Sequence, residues 1–127
     1  MATNTREKGE RRAQTRDARP KAHVRHVRLS SKKAKLVLDL VRGRSVDEAL
    51  AILQFTPKAT SPIVIKLINS AIANAVNNME LDRDSLYVAE IYANPGPTLK
   101  RYKPRSRGSA APFYRRTSHI SVVLDQR

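Results

Sequence analysis

Residues 86–124 read LYVAEIYANPGPTLKRYKPRSRGSAAPFYRRTSHISVVL, and this stretch decides the fold. Its two ends have strand patterns. Leu86, Val88 and Tyr92 alternate with Tyr87, Ala89 and Ile91, so Leu86 to Ala93 is apolar on both faces. Ile120, Val122 and Leu124 alternate with His119, Ser121 and Val123. Between the ends lie Asn94-Pro95-Gly96-Pro97, a turn signal, and a basic insert centred on Arg105-Ser106-Arg107-Gly108. The simplest topology is an antiparallel hairpin over about 86–124, with its tip near 105–109. Arms of roughly 20 residues at about 3.3 Å per residue reach about 60 Å. Modest helices cannot cover such an arm, so it must project, with basic side chains on both faces.

Charge placement sharpens this. The chain has 127 residues, 25 Lys+Arg against 11 Asp+Glu, and a net charge of +14. Residues 1–30 carry net +6, residues 31–83 net +3, residues 84–94 net −2 and residues 95–127 net +7. The middle is nearly balanced, as in an ordinary folded domain, and the excess sits at the two ends. Lys100, Arg101, Lys103, Arg105, Arg107, Arg115 and Arg116 occur with no acid between Pro97 and Leu124. Such a run repels itself until something neutralises it, and clustered Lys/Arg is the electrostatic footprint of phosphate binding. The partner indicated is a polyanion.

Upstream, residues 1–21 read as a basic arm, with no large apolar side chain after Met1 to offset the entropy of ordering. Residues 22–127 read as one domain. Ala22 to Leu29 predicts a short strand. Ser30 or Ser31 caps a helix from Lys32 to Arg42, which Gly43 stops. Ser45-Val46-Asp47-Glu48 is a capping box opening a helix to about Gln54. A third helix starts at Pro57 or at Pro62 and ends at Asn77-Asn78, with Val64, Leu67, Ile68, Ala71, Ile72 and Ala75 as its buried face. The fold class is α+β: three helices packed on a small antiparallel sheet, with a long projecting β-hairpin.

Several function classes lose support. The chain has no Cys, hence no disulfide framework and no thiolate metal site, which suits a reducing compartment. No apolar run approaches the roughly 18 residues of a membrane span, and the N-terminus has no apolar core of a secretory signal. Ser118, His119 and Asp125 contain the letters of a hydrolase triad, but neighbouring strand residues face opposite ways. His23 and His26 lack a third ligand, so no metal site and no cofactor are expected. A free nucleic-acid-binding regulator would need cations on its recognition helix, whereas Ile63 to Val76 carries only Lys66. A membrane-active protein would carry its cations on an amphipathic helix instead of a hairpin. Tyr102, Phe113 and Tyr114, interleaved with cations, suit either stacking on bases or cross-strand packing.

Gly96-Pro97-Thr98-Leu99-Lys100-Arg101, Pro104-Arg105-Ser106-Arg107-Gly108 and Arg115-Arg116-Thr117-Ser118-His119-Ile120-Ser121-Val122-Val123-Leu124 resemble the C-terminal signature of the bacterial large-subunit ribosomal protein twenty-two family. Arg28-Leu29-Ser30, Val41-Arg42-Gly43-Arg44 and Asn69-Ser70-Ala71-Ile72-Ala73-Asn74-Ala75 resemble it too, and the likeness spans about residues 22–125. The resemblance implies a non-enzymatic, cytoplasmic constituent of the large ribosomal subunit that binds large-subunit rRNA, aids its assembly and lines the nascent-peptide exit tunnel. Implied neighbours are other large-subunit proteins, among them ribosomal protein four at the tunnel constriction, with nascent peptide and macrolides close by. The expected rRNA contacts are Arg25, Arg28, Lys32, Lys33, Lys100, Arg101, Lys103, Arg105, Arg107, Arg115, Arg116 and His119. The expected tunnel-lining residues are Leu99, Lys100, Arg101, Tyr102, Lys103, Gly108 and Ser109. Three departures stand out. Asn94-Pro95 replaces an acid before Gly-Pro and is expected to end strand pairing early. Ser109 replaces a tip cation. Ala111-Pro112 replaces a more polar pair, which puts Pro112 at a bulge or an unpaired site.

Overall fold

A computed structural model describes residues 3–14 and 17–127. The order is α1 (Thr3–Gln14), β1 (Lys21–Val27), α2 (Ser31–Val41), α3 (Val46–Phe55), α4 (Ser61–Met79), β2 (Leu86–Pro95), β3 (Leu99–Pro104), β4 (Ala110–Arg115) and β5 (Ser118–Gln126). Strands β1, β5 and β2 form an antiparallel sheet in that order, and β3 and β4 form a separate two-stranded ribbon. Helices α2, α3 and α4 cover one face of the sheet. Leu38, Val41, Leu53, Ile68, Leu86, Val88, Ile91, Ile120 and Leu124 fill the space between. This is the expected α+β class with a projecting hairpin.

The arm differs from expectation. It holds a helix, α1, whose described side chains are all exposed. Within it Arg6 and Glu10 pair across one turn at 3.3 Å. Met1, Ala2, Thr15 and Arg16 of the arm lie outside the described residues.

The helix signals were mostly correct. Ser45 Oγ accepts from the Glu48 N–H, as a capping box requires. Gly43 takes φ +76 just beyond α2. The third core helix begins at neither proline. Thr60 is its cap, Ser61 its first residue and Pro62 its second, where a missing N–H costs nothing. It continues past Asn77-Asn78 to Met79, stopped by Glu80 in the left-handed region. The loop after α2 seals the outer edge of β2: Gly43 N–H donates to Val88 O, Val88 N–H to Arg44 O, and Arg42 Nη2 to Ile91 O.

The hairpin has two different halves, joined through a shift of register. Its inner half, β2 with β5, is part of the core sheet. Only the outer half projects, so the expected 60 Å arm is an overestimate of what stands clear. From Gly96 to the tip the reach is about 35 Å. The two-faced apolar pattern of β2 is resolved by a bulge. Val88 pairs with Leu124 and Glu90 with Val123, leaving Ala89 extra. The bulge moves the later residues to the other face, so Leu86, Val88 and Ile91 are all buried. Pairing does not end early at Asn94; it runs to Pro95 opposite Ser118.

In the outer half, Arg105 N–H donates to Ser109 O at 2.7 Å, which makes that a hydrogen-bonded pair. Alternation down the ribbon then makes Tyr102–Pro112 and Pro104–Ala110 non-hydrogen-bonded pairs. Both prolines therefore cost no ladder bond, and Pro112 sits without a bulge. Ser106-Arg107-Gly108 makes the tip, with Arg107 at φ 58 and Gly108 at φ 71.

Candidate nucleic-acid interface

The ribbon β3–β4 is exposed along nearly its whole length. Its register sorts the side chains. Leu99, Arg101, Lys103, Ala111, Phe113 and Arg115 share one face, and Lys100, Tyr102, Pro104, Ala110, Pro112 and Tyr114 share the other. Both faces carry a basic side chain, as expected, but unequally: Arg101, Lys103 and Arg115 on the first and Lys100 on the second. The first face is cationic around one aromatic: Lys103 Nζ lies 5.4 Å and the Arg115 guanidinium 6.0 Å from the Phe113 ring centre. The second face is aromatic, with Tyr102 65% and Tyr114 50% exposed. Phe113 thus stiffens the ribbon, while the tyrosines are open to a partner. Arg116 covers one of them, 5.7 Å above the Tyr114 ring centre.

At its root the ribbon meets the segment between β1 and α2. Arg28, Leu29, Ser30 and Lys33 face Leu99, Arg101, Tyr114, Arg115 and Arg116 across a cleft of about 780 Å³. Five cations and no acid line it. Like charges held this close repel one another, so the cleft favours an anion that bridges them. Arg116 also borders a second cleft of about 320 Å³, with Ser30, Ser31, Lys32, Pro95, Gly96, Thr98 and Thr117. This one opens on the N-terminus of α2, where Ser30 makes no side-chain cap bond. The first-turn N–H groups and the helix dipole there add to the attraction for phosphate.

The joint between the hairpin halves fixes where the ribbon points. Three residues, Gly96 to Thr98, face two, Arg116 and Thr117, so one strand carries an extra residue. Gly96 N–H donates to Thr117 O at 2.9 Å, and Thr117 Oγ1 donates to Pro97 O at 2.6 Å. Thr117 is only 5% exposed. Nothing in the spacing of the sequence marks Thr117 as this lock; the Gly between two prolines is the only signal of a joint.

The structure gathers the expected residues in three groups. Arg28, Lys33, Arg101, Arg115 and Arg116 meet at the root cleft, with Lys32 beside it. Lys100, Lys103, Arg105 and Arg107 follow the ribbon to its tip, together with Tyr102, Gly108 and Ser109. Arg25 and His119 lie elsewhere, on the open face of the three-stranded sheet. The triad letters do not meet: Ser118 is fully buried with Oγ unpartnered, while His119 Nδ1 accepts from the His26 backbone N–H at 3.0 Å on the opposite face. Among the described residues no cluster of His, Asp or Glu is placed to hold a metal, and no helix is long and apolar enough to cross a membrane.

Comparison with known proteins gives the same outline. The family described as ribosomal protein L22p/L17e matches residues 22–125. The chain is 55% identical over 106 residues to a Lacticaseibacillus casei protein named large ribosomal subunit protein uL22, covering 84% of this chain and 91% of that one. A Lactobacillus gasseri protein of the same name is 57% identical over 107 residues, covering 84% and 92%. A Pediococcus pentosaceus protein so named is 52% identical over 106 residues, covering 84% and 90%. With the match spanning the core helices, the sheet and the whole hairpin, this chain belongs to the L22p/L17e family of ribosomal proteins.

Proposed function

We propose that this chain is a structural constituent of the large ribosomal subunit in the cytoplasm, that it binds large-subunit rRNA and supports its assembly, and that its hairpin lines the nascent-peptide exit tunnel. The family is structural and not enzymatic. The observation that carries the reading is the ribbon: an exposed, acid-free element with Lys100, Arg101, Lys103, Arg105, Arg107, Arg115 and Arg116 on or beside it. An element of that charge gains little in water and much among crowded phosphates.

In this reading the domain 22–127 docks first, through the root cleft. Arg28, Arg115 and Arg116 hold backbone phosphates by charge-assisted, forked hydrogen bonds, and Lys32 and Lys33 add point charges at the start of α2. The ribbon then runs between rRNA helices, and Leu99 to Lys103 with Gly108 and Ser109 face the tunnel. Ribosomal protein four is the neighbour at the constriction, and nascent peptide and macrolides pass nearby. The arm 1–21 is a basic extension tied to the sheet at its end, where Leu124 N–H donates to Pro20 O and Arg19 pairs with Glu90.

Sucrose-gradient fractionation of a lysate tests the assembly. The chain is expected in large-subunit and ribosome fractions, and recovery in light fractions would refute the reading. If about seven hairpin cations contact phosphates, log affinity for rRNA falls against log salt with a slope of roughly −5. A flat salt dependence would rule out the electrostatic mechanism.

A further inference from the structure

The helices cover one face of the three-stranded sheet and leave the other open. Beside a row of Lys21, Val123 and Glu90, where Arg19 pairs with Glu90 at 2.8 Å, register places two further rows of side chains on that face. His23, Ser121 and Tyr92 stand side by side across β1, β5 and β2. In the next row the bulged pair Arg25-His26 stands beside His119 and Asn94. These residues line one concave surface of about 540 Å³, containing no acid. That is within the range of about 300–1,000 Å³ usual for small-ligand sites.

The shape of the His23, Ser121 and Tyr92 row is large, small, large. The short Ser121 forms a floor between His23 and Tyr92, which are two strand spacings apart, about 10 Å. That width admits a planar ring between them. The floor is fixed, since His23 Nδ1 lies 2.8 Å from Ser121 Oγ. The end wall is fixed as well. His26 takes φ 56 at the β1 bulge, its N–H bonds His119 Nδ1 at 3.0 Å, and the two imidazoles meet edge to face with centres 4.8 Å apart. A left-handed non-glycine residue is costly unless its surroundings hold it, and here they hold a ring wall in place. Tyr92 remains 41% exposed, and the Asn94 amide and Arg25 guanidinium stand at the rim as hydrogen-bonding and charged groups.

We infer that this open face is a nucleobase site that takes one unstacked base of RNA against Tyr92, with its polar edge toward Asn94 and its phosphate toward Arg25. The inference rests on the RNA-binding reading above but concerns a surface separate from the ribbon. Base-on-aromatic stacking with a few edge contacts is how sheet surfaces hold single-stranded RNA.

The test compares two RNA decamers carrying the same phosphates, one of uridines and one fully abasic, titrated into the full-length chain at low salt. The uridine decamer is expected to bind about fivefold or more tighter, the effect of one stacked base. Tyr92→Ala should cut that preference at least threefold, and Tyr92→Phe should retain it. His23→Ala, also at an exposed position, provides a second reading and should weaken the preference. Equal binding of both decamers, or a preference undiminished in Tyr92→Ala and His23→Ala, overturns the base site and leaves the phosphate reading standing. Failure of both decamers to bind overturns the site and the RNA reading beneath it.

Discussion

Replacing Gly96 by Ala tests whether the joint sets the hairpin. Gly96 does not occupy the left-handed region, so its backbone accepts any residue and the cost is steric. A Cβ there would lie 2.6 Å from Thr117 Oγ1 and 3.2 Å from both Cε1 and Nε2 of His119. The first distance falls about 0.8 Å short of ordinary contact at 3.4–4 Å. Thr117 is buried and its hydroxyl is committed to Pro97 O, so it can yield only by breaking that bond. Overpacking of about 1–3 kcal/mol plus a hydrogen bond of about 1 kcal/mol gives a loss of about 2–4 kcal/mol. Thr117→Ala alone should cost about 1–2 kcal/mol through the lost bond. It also removes the clashing oxygen. The double variant should therefore be about as stable as Thr117→Ala, a coupling of about 2–4 kcal/mol, equal to the Gly96→Ala loss. Urea unfolding followed by circular dichroism reads all four states, since a stability of about 5–15 kcal/mol leaves each variant folded. A Gly96→Ala chain as stable as the parent, or losses that simply add, would refute the steric lock.

Other expectations follow from the same geometry. Ser45→Ala removes the cap of α3 and should lower stability by about 1 kcal/mol in the same urea assay, whereas Ser45→Asp should retain most of it. Hydrogen bonds from the Arg19 side chain, and then its backbone N–H, hold the Asp17 carboxyl down at about 2 against an ordinary 3.8. A lowered folded value means that the stabilisation is complete above the ordinary value and is lost as pH falls through about 2. Carboxyl-carbon NMR should show that midpoint, and a midpoint near 3.8 would contradict the pairing. Deleting Leu99 to Arg101 removes an odd number of residues from β3, which turns every later side chain of that strand to the opposite face. Ribosomes carrying the deletion should show a shifted tip and an altered macrolide response; unchanged susceptibility with an unchanged tunnel map would count against the tunnel placement.

The helices of the core were legible because their signals are local. Ser45 with Glu48, Gly43, and the spacing of Val64, Leu67, Ile68 and Ala71 each act within a turn or two of chain. The ribbon cations were legible as well, because charge needs no partner to be seen. What escaped depended on contacts across strands. The Ala89 bulge is set by which residue of β5 lies opposite, so β2 read as apolar on both faces. The unequal faces of the ribbon follow from the Arg105–Ser109 pair, which fixes the alternation. The root cleft unites Arg28 and Lys33 with Arg115 and Arg116, more than eighty residues away in sequence. The order of α1 was missed because a helix with no buried face leaves no periodic apolar signal.

Pro104 and Pro112 have a consequence for the protein before it meets its partner. A two-stranded ribbon has two free edges, each with outward N–H donors at its non-hydrogen-bonded positions. Pro104 removes one such donor from one edge and Pro112 removes one from the other. A second ribbon laid alongside either edge would find the ladder interrupted near the tip, where the ribbon is farthest from the core. Together with the mutual repulsion of the cations, this disfavours edge-to-edge stacking of newly made chains. The prolines act as guards against self-association during the interval between synthesis and incorporation, when the ribbon has no other surface to lie against.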